Sequence, residues 1–175
     1  GLYIVNAVQE EIGLRGAEMM AQSIKPNVAI ITDVCHDTTT PMIDKIEQGE
    51  VIGGEGPCLT IGPAVQNNLL KLIKETATKE KIPFQRLAAS RSTGTDTDAF
   101  AYSNGGVPSA LISLPLKYMH TTVEAAHKDD VLNVIKLIYF ALQKIKNNHI
   151  YKYIILIHYI INKPLYKKHT INYNQ

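Results

Sequence analysis

Short, wholly apolar runs alternate along this chain with segments that repeat at helical spacing. That alternation constrains the fold more than any other feature. Residues 2–8, 28–32 and 108–114 are dense in Val, Ile and Leu and read as strands buried on both faces. Residues 57–61 and 84–88 read as shorter strands. Between them, Ala17, Met20, Ala21 and Ile24 mark one face of a helix that stops at Lys25-Pro26. Val65, Leu69, Leu72, Ile73 and Thr76 mark a second, opened by Gly62-Pro63. Val131, Val134, Ile135, Ile138 and Leu142 mark a third, capped by Asp129-Asp130 and ending near Asn147-Asn148. A short helix over residues 98–103 ends at Gly105-Gly106, and residues 35–56 read as a long polar loop. Strands that alternate with helices predict an α/β chain, a three-layer α/β/α sandwich with a mostly parallel central sheet.

In such sheets the working groups collect beyond the carboxyl ends of the strands. Four side chains fall there: Glu10 and Glu11 after the first strand, Asp33 at the end of the second, and His120 a few residues after 108–114. The adjacent pair Glu10-Glu11 lies between an apolar strand and a helix start flanked by Gly13 and Gly16. Neighbours in extended chain point opposite ways, so one carboxylate can reach a metal while the other holds a water beside it. The plainer reading is two solvated acids at a helix N-terminus, where negative charge is favoured. Asp33 reads equally as a turn former or as a ligand aimed into a cleft. His120 alone reads as structural. Imidazole and carboxylates together are the donor set of zinc and other first-row ions. The loop Thr93-Gly94-Thr95-Asp96-Thr97-Asp98 either shapes a pocket or caps the next helix, and it has no phosphate-binding pattern. No context for covalent catalysis stands out.

Composition narrows the setting. Cys35 and Cys58 are too few for a disulfide framework and read as reduced, buried thiols of a cytoplasmic protein. All 16 acidic side chains lie in the first 130 residues against 11 basic ones, whereas the last 45 hold 7 Lys and no acid, for a net charge of +2. The basic end lacks the aromatic stacking modules of a nucleic-acid binder, and no run of 18 apolar residues suggests a membrane span. Neither nucleic acid nor membrane is therefore expected as a partner. Residues 149–175 are built of Ile, Tyr, Lys, Asn and His without acid, Gly or Ala. That composition admits an extra helix or strand, a non-native tail that packs poorly, or a basic interaction tail.

Residues 8–17, Asp33, Gly94-Thr95-Asp96, and 108–124 followed by Asp129-Asp130-Val131 occur in the order found in one family. Over residues 2–145 the chain resembles the glutamyl aminopeptidase and tetrahedral aminopeptidase family, some of whose members carry the name endoglucanase. The resemblance implies a zinc-peptidase-like sandwich that takes a peptide substrate. It implies two divalent metal ions per complete site, zinc or cobalt, and removal of N-terminal residues by metal-activated water. Carried over residue by residue, it implies Glu10 as general base, Glu11 and His120 as ligands of one metal, and Asp33 as terminal ligand of the other. It implies a substrate-binding part for Gly94, Thr95 and Asp96, and a homo-oligomer for the full-length relatives.

Family members carry a further His, a bridging Asp and an inserted β-rich domain upstream of the Glu-Glu segment, and this sequence has none of them. Residues 1–148 therefore read as the C-terminal portion of the catalytic domain, N-terminally truncated, with 149–175 as an atypical tail. Such a chain is expected to be inactive, or nearly so, alone. The alternatives are a non-catalytic remnant, an association-dependent subunit of the same fold, or another two-metal amidohydrolase such as a deacylase or carboxypeptidase.

Overall fold

A computed structural model describes residues 1–147 and 154–158. Seven strands form one mixed sheet: β1 (Leu2–Val5), β2 (Val28–His36), β3 (Cys58–Ile61), β4 (Gln85–Ala88), β5 (Ser109–Lys117), β6 (Ala125–Ala126) and β7 (Ile154–His158). Five helices accompany them: α1 (Arg15–Ile24), α2 (Lys45–Gln48), α3 (Asn67–Lys79), α4 (Asp96–Ala101) and α5 (Lys128–Asn147). The strand order is β1-β7-β2-β5-β3-β4, with β6 on β5. All neighbours are parallel except β3 and β6, each antiparallel to β5.

The alternation of buried side chains along the central strands builds the layers. In β2, Val28 and Ile30 face one core while Ala29 and Ile31 face the other. In β5, Ala110 and Ile112 share the first core and Leu111 the second. Helices α3 and α5 cover the first through Leu69, Ile73, Leu137 and Ala141. Helices α1 and α4 cover the second through Ala17, Ala21 and Phe100. The three-layer α/β/α expectation is met.

Details differ from the sequence reading, with physical reasons. The strand expected over 2–8 ends at Val5, because Gln9 turns into the left-handed region (φ 61°) to begin a loop. Strand β2 runs past the apolar segment to His36, since β5 continues alongside and supplies backbone partners from Ser109 to Leu116. Asp33 therefore lies inside β2, opposite Ser113, rather than at its end. The long loop contains the single turn α2, capped by the Asp44 side chain on the Ile46 N–H at 2.7 Å. The helix expected from Gly62 starts at Asn67, capped by Gln66 on the Leu69 N–H.

Of the segment read as a tail, residues 154–158 add β7, parallel to both neighbours, between β1 and β2. Residues 149–153 and 159–175 lie outside the described residues. Cys35 and Cys58 are free, buried and in contact; the hydrogen bond between them, then burial, holds the Cys35 thiol protonated. No helix of the described residues is long and apolar enough to cross a membrane.

Candidate active site

The Glu10-Glu11 pair stands on a tight loop held by its own backbone. The Glu10 carbonyl accepts from the N–H groups of Gly13 (3.1 Å) and Leu14 (3.0 Å), and the Val8 carbonyl from Gly16 (3.0 Å). Gly16 is required by close approach: a Cβ there would lie 2.5 Å from the Val8 oxygen and 2.6 Å from its nitrogen. The loop thus seats the carboxylates at the edge of α1 by pressing backbone onto backbone.

Asp33 is 9% exposed, and its Oδ1 accepts the Val34 N–H at 2.7 Å. His120 follows β5 in a turn where Tyr118 and His120 are both left-handed (φ 56° and 62°). The Glu124 carboxylate holds that turn by accepting the His120 N–H at 2.7 Å. The turn brings His120 Nε2 to 3.5 Å from Glu11 Oε1.

The third contributor is the loop before α4. The Asp98 carboxylate accepts from the N–H groups of Thr93 (2.9 Å) and Gly94 (3.1 Å), and Thr95 Oγ1 caps α4 on the Thr97 N–H. The loop both caps the helix and lines the pocket, which the sequence left as alternatives. Glu10, Glu11, Asp33, Gly94, Thr95 and His120 all line one cavity of about 650 Å³. Asp96 is set behind that lining. It is 1% exposed, and neither carboxylate oxygen has a hydrogen-bond partner.

Three carboxyls are displaced toward neutrality. Burial, then the charges of Glu11 and Asp96, raises Glu10 to about 7, against an opposing pull from His120. Burial raises Asp33 to about 7 as well; Glu10, Asp96 and Glu11 add to the rise and the Val34 N–H opposes it. Burial alone raises Asp96 to about 6. Perturbed carboxyls in a cleft mark a candidate functional site. The sequence reading did not foresee the tether made by Asp130. Its carboxylate accepts from Gly54 (2.7 Å) and Gly56 (2.8 Å), fastening the long loop to α5 instead of capping α5 itself. An acid at a helix start is the only signal of it in the sequence.

The fold and the site define a class: α/β sandwich proteins with titratable side chains gathered in a cleft at the carboxyl edge of the sheet. Within that class the chain belongs to the M42 glutamyl aminopeptidase family, whose model matches residues 1–137. The lysyl aminopeptidase of Pyrococcus furiosus is 39% identical over 147 residues, covering 83% of this chain and 41% of the relative. The TET aminopeptidase of a marine sediment Thaumarchaeota archaeon superposes with a TM-score of 0.70 at 30% identity, over 78% of this chain and 38% of that one. The TET1 peptidase of Pyrococcus horikoshii, which can assemble into a tetrahedron or a large octahedral shell, gives 0.59 at 29% identity over 78% and 38%. The chain thus spans about two fifths of the length of these relatives.

Proposed function

We propose that this chain carries the general base and part of the ligand set of a metal-dependent aminopeptidase that removes N-terminal residues from peptides. One observation carries the reading. Three stretches far apart in sequence bring Glu10, Glu11, Asp33 and His120 onto one cavity, with two of the carboxyls titrating near 7. A carboxylate poised there accepts a proton from attacking water and returns it to the leaving amine at neutral pH. Glu10 takes that role. Glu11 and His120 serve one ion and Asp33 the other, with zinc or cobalt as the ions, and Gly94 and Thr95 shape the substrate wall.

The donors suit a divalent ion in kind, imidazole with carboxylate. They fall short in number: among the described residues no three His, Cys, Asp or Glu side chains converge to hold an ion. The residues present therefore do not make a complete two-metal cage, and the step this chain supplies is the proton transfer at Glu10. That shortfall favours the association-dependent reading, in which the chain works only with further donors. When bound, the ions would activate water and stabilise developing negative charge.

The test is release of chromophore from aminoacyl-anilides with added Zn²⁺ or Co²⁺. The chain alone is expected to turn over little or not at all, whereas a full-length relative shows metal-dependent release and loses it when the Glu matching Glu10 is changed to Gln. A full-length protein unaffected by that change would overturn the reading. A homo-oligomeric full-length form and a cytoplasmic location belong to the same proposal. The family description and the Pyrococcus furiosus relative name N-terminal residues of opposite charge, so family membership leaves the preferred residue open.

A further inference from the structure

Among the described residues the cavity wall carries one more carboxylate, Glu47, and no lysine or arginine. Cys35 and His36 complete its titratable lining. Glu47 comes from α2, the single turn inside the long loop. That loop is fixed at its far end by Asp130 on Gly54 and Gly56, and Glu47 and Gln48 of α2 line the cavity. The nearest cation in sequence, Lys45, pairs with Glu50 at 3.4 Å. Glu47 itself makes no ion pair or hydrogen bond among the described residues. The buried Asp96 carboxylate has no hydrogen-bond partner among the described residues, and its charge reaches Glu10 and Asp33. A cleft of one sign focuses its field on whatever enters.

On the proposed aminopeptidase reading, Glu10, Glu11, Asp33 and His120 are occupied with the reaction. Among the described lining residues, Glu47 is then the charged group left to meet the side chain of the substrate's first residue. We propose that Glu47 is a specificity residue that favours a cationic first side chain, so that the site takes peptides beginning with Lys or Arg over those beginning with Asp or Glu. This rests on the aminopeptidase reading and extends it to substrate class. Glu47 is exposed, so the expected discrimination is modest, about two- to fivefold for Lys over Leu, in line with solvent-exposed ion pairs. An acidic first residue meets repulsion instead and falls below Leu.

The experiment uses the full chain and peptides that differ only in their first residue, Lys, Leu or Glu, with a fluorophore at the C-terminus. Binding is read by fluorescence polarisation at low and high salt, with Zn²⁺ present, for the native chain, Glu47→Gln and Glu47→Lys. The Lys peptide is expected to bind tightest and the Glu peptide weakest. Glu47→Gln should collapse that spread, Glu47→Lys should reverse it, and salt should narrow it. Because Glu47 is exposed on a surface turn, both variants should keep the native circular dichroism, which is measured alongside. Equal binding of the three peptides, or an unchanged order in Glu47→Gln, overturns the assignment to Glu47 while leaving the aminopeptidase reading standing. Failure of every peptide to bind likewise overturns the assignment to Glu47, whereas the aminopeptidase reading stands or falls with the anilide assay above.

Discussion

His120 Nε2 lies 3.5 Å from Glu11 Oε1, joining the loop after β1 to the turn after β5. Both side chains are well exposed, 68% and 56%. An exposed pair of this kind contributes well under about 1 kcal/mol to stability. The two turns that create it are nonetheless costly, with left-handed backbone at Gln9, Leu14, Tyr118 and His120. On the proposed reading, that geometry serves a shared third party, a cation gripped from two sides.

Glu11→Gln and His120→Ala should each leave the thermal midpoint almost unchanged while weakening Co²⁺ binding by about tenfold or more, the scale on which even indirect perturbations of a metal site act. Titration of the Co²⁺ absorption spectrum beside a thermal melt separates the two effects. Equal affinity in native and variant chains would remove these residues from the ligand set.

Gly16→Ala should destabilise by about 1–3 kcal/mol, the usual range for forcing a methyl into packed surroundings. The obstacle is the Val8 backbone at 2.5 Å, which cannot rotate away as a side chain could. Because the same contact seats Glu10 and Glu11, the variant should also lose Co²⁺ affinity. Urea midpoints check the first effect. A midpoint equal to that of the native chain would mean that the loop absorbs the methyl freely.

Asp130→Ala strips the acceptor from the Gly54 and Gly56 N–H groups at once. Hydrogen bonds to a charged group are worth about 1.5–3 kcal/mol, so a loss on the order of 2–3 kcal/mol is expected. Gly56 cannot simply move aside, since its φ of 96° and the Pro83 carbonyl against it fix its path. Residues 44–56 should become the first site of limited proteolysis. Cleavage at an unaltered rate there would show that Asp130 does not fasten the loop.

The layered α/β architecture was legible because its signals are local: apolar runs for β2 and β5, and 3.6-residue repeats for α1, α3 and α5. The convergence of Glu10, Glu11, Asp33 and His120 was legible only in combination, through the strand-end positions expected for them and the family resemblance. What escaped depends on long-range pairing. Strand β2 reaches His36 because β5 runs beside it, which no periodicity in residues 33–36 announces. Asp130 binds glycines 74 and 76 residues away, and nothing near Asp130 in the sequence encodes that partner. Asp96 was grouped with Gly94 and Thr95, yet as the first residue of α4 it is buried and absent from the described lining.

That burial of Asp96 gives the metal-free chain an unusual pH response. Folding raises Glu10 from its ordinary 4.5 to about 7, Asp33 from 3.8 to about 7, and Asp96 from 3.8 to about 6. Between about pH 4 and 7 the folded state therefore binds more protons at these groups than the unfolded state does. Their contribution to stability is fully present below the unfolded values and is lost as pH rises through the folded ones. With EDTA present, Asp96→Asn should thus stabilise the chain at pH 7.5 and change little at pH 4. A shift from 3.8 to about 6 corresponds to about 3 kcal/mol from the burial of Asp96 itself. The same substitution removes a charge that raises Glu10 and Asp33, so both should titrate at lower pH in the variant. Thermal melts of the two chains from pH 4 to 8 test the sign directly, because carboxylates elsewhere contribute equally to both and cancel in the difference. Saturating Zn²⁺ should shrink that difference by compensating the clustered charge. A variant less stable than the native chain at pH 7.5 would mean that Asp96 is held by a partner strong enough to outweigh its burial.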